Sequence, residues 1–180
     1  CTHNGSFTVV DEYGCSSVKT DFSYDVSAVP SIPSVEIGDY LWSGYNSDVW
    51  DTNTETNWTI YNAGGYSAAI NPPSTGNNVF IVDYCDASSN PTLSEDVQCN
   101  DFTIVSGELS FDSGNTLFIT GDFDNQDVFN ATNGIVEFNG TGVQEIFSGG
   151  DDFYDVSFNN NAGLDADILL SDDLSVNNSA

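Results

Sequence analysis

The chain has 180 residues, 39% of them apolar, and sets 28 acidic side chains against one basic residue, Lys19, for a formal net charge of -27. That apolar content suffices for one packed domain or slightly more, while the charge repels phosphate backbones and anionic lipid and so excludes nucleic-acid and membrane-surface roles. Cations are the expected partners, in a saline or calcium-containing surrounding, because salt screens such self-repulsion over about 8 Å at physiological strength.

Four cysteines stand as two local pairs, Cys1 with Cys15 and Cys85 with Cys99, each fourteen positions apart. Neither pair has the spacing of metal ligands, and His3 is the sole histidine, so disulfides in an oxidising, extracellular compartment are the expectation. Three connectivities are open to four cysteines; the two local ones are favoured. No apolar run approaches the roughly 20 residues of a membrane helix, so no membrane insertion is expected. The chain opens on Cys1 rather than Met, as expected of a processed or excised piece.

Helix formers are scarce, and Gly, Ser, Asn, Thr and Asp punctuate every few residues, which makes the chain all-β. Alternating strands are predicted at Phe7 to Val10 and at Phe22 to Val26, forming a hairpin, followed by the proline linker AVPSIPSVEIG. Residues 1–34 are therefore read as a partial module and linker. Residues 35–78 hold LWSGYNSDVWDTNTETNW, with Trp42, Trp50 and Trp58 eight residues apart. These rings, helped by Tyr45, offer either a stacking platform for glycans or a plug over the end of a core. The plug is favoured because the motif precedes the first coil strand, NNVFIVDY.

Residues 79–180 are periodic. The pairs Leu117/Ile119, Val136/Phe138, Val156/Phe158 and Leu174/Val176 recur every 19, 20 and 18 residues, with weaker strands between them. A period near 20 with two or three short strands per repeat predicts a parallel β-helix, or β-solenoid, whose coils cover each other's apolar faces. A Greek-key β-sandwich is the competing fold. Asparagines are expected at the turns, some of them stacked as ladders between coils.

The strings YLWSGYNSDVWDTNTETNW, NPPSTGNNVFIVDY, NGIVEFNGTGVQEIFSG and DFYDVSFNN resemble, in order, a repeat module of large secreted surface proteins of Bacteroidota-type bacteria. The resemblance spans residues 40 to 176. CTHNGSFTVVDEYGCSS resembles the Ig-like repeats of gliding-motility adhesins such as SprB, with the middle of the repeat missing. What this implies is a β-helical stalk or adhesive segment of a longer protein, exported by type IX secretion, with further copies or modules of the same surface protein as partners.

Oxygen ligands alternate in GDFDNQD at Asp122, Asp124 and Asp127, a spacing that suits calcium, although the loop lacks an EF-hand's glycine and closing glutamate. Ordinary turn aspartates are the competing reading. Lyase chemistry on a β-helix needs a cationic base, and only Lys19 is present; no acidic pair is singled out for hydrolysis. The expectation is a non-catalytic, extracellular structural segment of an adhesin or filament, with a carbohydrate-binding module or a self-assembling filament subunit as alternatives.

Overall fold

A computed structural model describes residues 2–7, 20–25, 34–44, 47–50, 57–83, 90–112, 114–162 and 168–178. Two compact units divide the chain, Cys1–Pro30 and Ser31–Ala180. Among the described residues no helix is long and apolar enough to cross a membrane.

The first unit pairs β1 (Thr2–Phe7) with β2 (Thr20–Asp25) antiparallel, Thr2 opposite Asp25 and Phe7 opposite Thr20. The antiparallel pairing is as expected, with β1 taking in Thr2 to Ser6 ahead of the predicted start at Phe7; residues 8–10 of the predicted strand lie outside the described residues. Pairing across the whole of β2 draws in Thr2 to Ser6, which carry no apolar alternation of their own.

The second unit is a parallel β-solenoid of about four turns, and the sandwich alternative is excluded by strand direction. Three faces are visited in a fixed order. The first face holds β6 (Val79–Ile81), β9 (Phe102–Ile104), β12 (Phe123–Asn125), β15 (Gln144–Phe147) and β17 (Ile168–Leu170). The second holds β7 (Thr92–Leu93), β10 (Glu108–Phe111) and β13 (Val128–Asn130). The third holds β8 (Val97–Cys99), β11 (Thr116–Ile119), β14 (Ile135–Phe138) and β16 (Asp155–Phe158). Every pairing within these faces is parallel. Phe153 falls between β15 and β16 in the chain, where earlier coils place their second-face strand, and it bridges Val176 in the same parallel sense.

Period-two alternation turns one side of each strand inward. On the third face the register stacks Val97, Leu117, Val136 and Val156 in one column and Cys99, Ile119, Phe138 and Phe158 in the next. Three of the four predicted pairs therefore stack as read. The fourth does not: Val176 bridges Phe153, and Val97/Cys99 is the missing member of the third-face column. Ring contacts run along the interior, with Trp50 to Phe102 at 6.0 Å, Phe102 to Phe123 at 5.8 Å, Phe123 to Phe153 at 5.4 Å and Phe138 to Phe158 at 5.7 Å. Offset and edge-on rings at such spacings fill the interior and add their own attraction.

Cys99 corrects a further expectation. It is fully buried in its inward column and carries a free thiol, not a bond to Cys85. Its register position, in line with Ile119 and Phe138, makes it a small apolar filler of the core. Burial foremost, then the Asp101 carboxylate, raises its pKa far above the usual thiol range and leaves it inert. Cys1, Cys15 and Cys85 lie outside the described residues.

Candidate functional site

The tryptophan stretch builds the solenoid's closed end. Sheet one continues past β6 into β3 (Tyr40–Trp42), still parallel, and then reverses: β4 (Trp58–Asn62) runs antiparallel to β3, and β5 (Gly65–Ala68) antiparallel to β4. A hairpin laid on a parallel edge stops further parallel stacking. Beneath it Trp42, Trp50 and Trp58 are each 1% exposed. Trp58 is the hub, edge-on to Trp42 at 5.0 Å and to Trp50 at 4.6 Å. None of the three offers a ring face to a sugar; they form the plug. Tyr45 lies outside the described residues.

Asn57, in the TNW element, holds this end together, a structural role the sequence did not assign to it. It is fully buried. Its amide donates to Ser47 Oγ at 2.8 Å and to the Val49 carbonyl at 3.0 Å, and its Oδ1 accepts from Ser47 N at 2.9 Å. Its backbone carbonyl accepts from the Ser43 amide at 2.8 Å and the Ser43 hydroxyl at 2.7 Å. Asn57 thereby supplies the loop's remaining groups with partners, beside the parallel bridge of Val49 to Thr92 in β7.

The acidic side chains reach from coil to coil. Asp101 Oδ1 accepts from Asp122 N at 2.9 Å, Asp122 Oδ1 accepts from Glu145 N at 2.7 Å, and the Ser171 hydroxyl donates to Glu145. Asp127 Oδ2 accepts from Gly107 N at 2.7 Å, and Asp124 Oδ2 accepts from Gln126 Nε2 at 2.8 Å. Asp122, Asp124 and Asp127 are thus taken up as turn and ladder acceptors. Asp122 and Asp124 also line an open groove of about 410 Å³ with Glu36, Asp39 and Asp101. Among the described residues no three acidic, cysteine or histidine side chains come together in a way that holds a metal ion.

Amides run a second ladder at the corner between the third and first faces. Asn78 donates to Asp39 at 3.1 Å, Asn100 to Asn78 at 2.9 Å, and the Thr120 hydroxyl to Asn100 at 3.3 Å. One coil on, buried Gln144 donates to the carbonyls of Ile119 at 3.0 Å and Gly121 at 2.6 Å, while its Oε1 accepts from Gly140 N at 2.9 Å and Asn160 at 2.8 Å. Buried Asn125 donates to the Ser148 carbonyl at 2.7 Å and to Asp151 at 3.0 Å. The expected asparagine ladder therefore exists, and Asn78 and Asn100 carry most of it. Only their position at equivalent points of successive coils marks them, and that becomes visible once the register is known.

The far end of the solenoid is built differently. There the inward columns stop at Phe158, Leu170 and Val176, respectively 48%, 46% and 48% exposed, each next to a buried residue of the preceding coil: Phe138, Ile146 and Phe153. The Asp172 carboxylate ties this last coil back to the one before. It accepts from Ser148 N and Ser148 Oγ, both at 2.8 Å. Desolvation acts to raise its pKa, but the hydrogen bonds from Ser148, Gly150 and Gly149 outweigh it and leave the pKa below the ordinary 3.8.

The fold and these arrangements define an all-β, parallel β-solenoid protein with a plugged end. Comparison with known proteins adds no relative: no family model, no curated protein and no solved structure matches the chain.

Proposed function

We propose that the chain is a non-catalytic structural segment of an extracellular surface adhesin or filament, serving as a stalk element whose task is mechanical. The observation carrying this reading is where the polar chemistry has gone. Carboxylates and amides that could bind an ion or move a proton, Asp101, Asp122, Asp127, Asp151, Gln144 and Asn125, accept from or donate to the backbone of a neighbouring coil or turn. Together with the parallel ladders and the interior ring contacts they bind each coil to the next. The net charge of -27 keeps such stalks apart and soluble. The resemblance of residues 40 to 176 to surface-protein repeats points the same way and adds type IX export to the proposal.

Two measurements test it. Antibody raised against the chain is expected to label intact cells of the source organism; label confined to permeabilised cells sinks the proposal. Pulled between its ends, the solenoid is expected to release one coil at a time, each of some twenty residues lengthening the tether by about 65–75 Å at roughly 3.3–3.6 Å per residue. A single all-or-none extension contradicts a coil-by-coil load-bearing element.

A further inference from the structure

The two ends of the solenoid are unlike, and that difference points to a partner. At the plugged end an antiparallel hairpin crosses the sheet edge and three tryptophans, 1% exposed, close the interior. At the other end each of the three faces presents an apolar side chain near half exposure where every earlier coil buries its counterpart. Strands β16 and β17 are the edge strands of their sheets there, with no further strand paired to them among the described residues.

We propose that this bare end is the docking surface for one further parallel β-coil, carried by polypeptide outside these 180 residues. The proposal rests on the reading of the chain as a solenoid segment and names the segment's neighbour. The chemistry of the occupant follows from the interface already repeated along the molecule. Its strands run parallel to β16 and β17, since only that sense continues the registers Ile135 to Asp155 and Gln144 to Ile168. It places apolar residues over Phe158, Leu170 and Val176. At its corners it carries Asn, Ser or Thr, as Asn78, Asn100 and Thr120 do in the coil-to-coil ladder.

A second copy of the chain fits this surface poorly. Head to tail, the second copy offers on the first face the antiparallel hairpin β4–β5 and the plug, and keeps a parallel edge strand only at β8 on the third face, so the three faces cannot continue together. Tail to tail, the two sets of strands meet in opposite senses, the inward columns lose register, and two chains of net charge -27 are pressed together.

The test lengthens the chain by a coil of known chemistry. A duplicate of residues 135–154, joined after Ala180, begins with a third-face strand, which is the next in the order after Val176. Hydrogen exchange of the amides in Asp155–Phe158 and Ile168–Leu170 is expected to slow at least tenfold. A control whose duplicate carries serine in place of its copies of Val136, Phe138 and Ile146 is expected to leave that exchange unchanged. Unaltered exchange with the intact duplicate overturns the proposal. So does light scattering that shows the 180-residue chain dimerising in a way that Phe158→Asp abolishes, because the occupant is then a second copy. Neither result depends on where the protein resides, so failure here is distinct from failure of the cell-labelling test.

Discussion

At the scale of single residues, the solenoid depends on a few buried polar groups that serve the backbone at its corners. Gln144 is the most heavily used, joining Ile119, Gly121, Gly140 and Asn160. Gln144→Leu takes this partner from the Gly121 carbonyl and the Gly140 amide, while the Ile119 carbonyl keeps the Asn139 amide and Asn160 keeps the Gly142 carbonyl, and a loss of about 3 kcal/mol is expected from urea unfolding. Gly134 lies against the Phe111 ring, where an added Cβ would meet ring carbon at 2.3 Å. Gly134→Ala is therefore expected to lower the melting temperature, whereas Gly142→Ala, with open space around it, is expected to change it little. Asp172 brings a pH dependence. Its pKa is lowered in the folded state, so its contribution is complete above the ordinary 3.8 and is lost as pH falls through the lowered native value. Amide exchange at Ser148 is expected to rise in that acid window, and Asp172→Asn is expected to flatten the rise.

At the scale of elements, the plug is the part where the fold decided between two readings, the favoured plug and a glycan platform. Three tryptophans spaced eight apart are compatible with a row of sugar-stacking rings, but the strands carrying them meet antiparallel, Trp42 directly opposite Trp58, and the rings turn inward. Iodide is expected to quench their fluorescence weakly in the native state and strongly in urea; strong native quenching contradicts the plug. Trp58→Ala, which removes the hub of the cluster, is expected to cost about 3–5 kcal/mol. The coil strands were legible because each alternates apolar and polar residues and their spacing repeats. The placement of Val176 was not, because its step of 23 from Phe153 belongs to the second face, whereas the predicted interval of 18 matched it to the third. Unequal loops let two faces of one coil advance by different numbers of residues, and a one-dimensional period cannot separate them.

At the scale of the whole molecule, charge governs stability. With -27 on 180 residues and its acceptors facing outward, the folded chain repels itself, and salt relieves part of this. Raising sodium chloride from 10 to 500 mM is expected to lift the melting temperature by about 3–6 °C, corresponding to about 1–2 kcal/mol. Millimolar calcium compared with chelator at constant ionic strength is expected to add nothing more, because Asp122, Asp124 and Asp127 already accept hydrogen bonds in place and do not converge as a metal site among the described residues. A calcium-specific rise would restore the cation loop suggested by GDFDNQD.

Composition and periodicity alone determined the all-β class and the stacking of coils, and favoured the plug over a glycan platform; the parallel pairing of β3 ahead of Val79 was not legible. The class and the stacking are consequences of local alternation and of repeats that cannot bury their apolar side alone. The tertiary structure decided what depends on register: which strands share a face, that Cys99 is a free core thiol, that Asn57 and Gln144 satisfy the turns, and that the acidic loop serves the ladder. It also decided that, among the described residues, the solenoid has one plugged end and one where Phe158, Leu170 and Val176 stand about half exposed. Register is set by contacts between residues some twenty positions apart, and no local pattern in the chain records which of them meet.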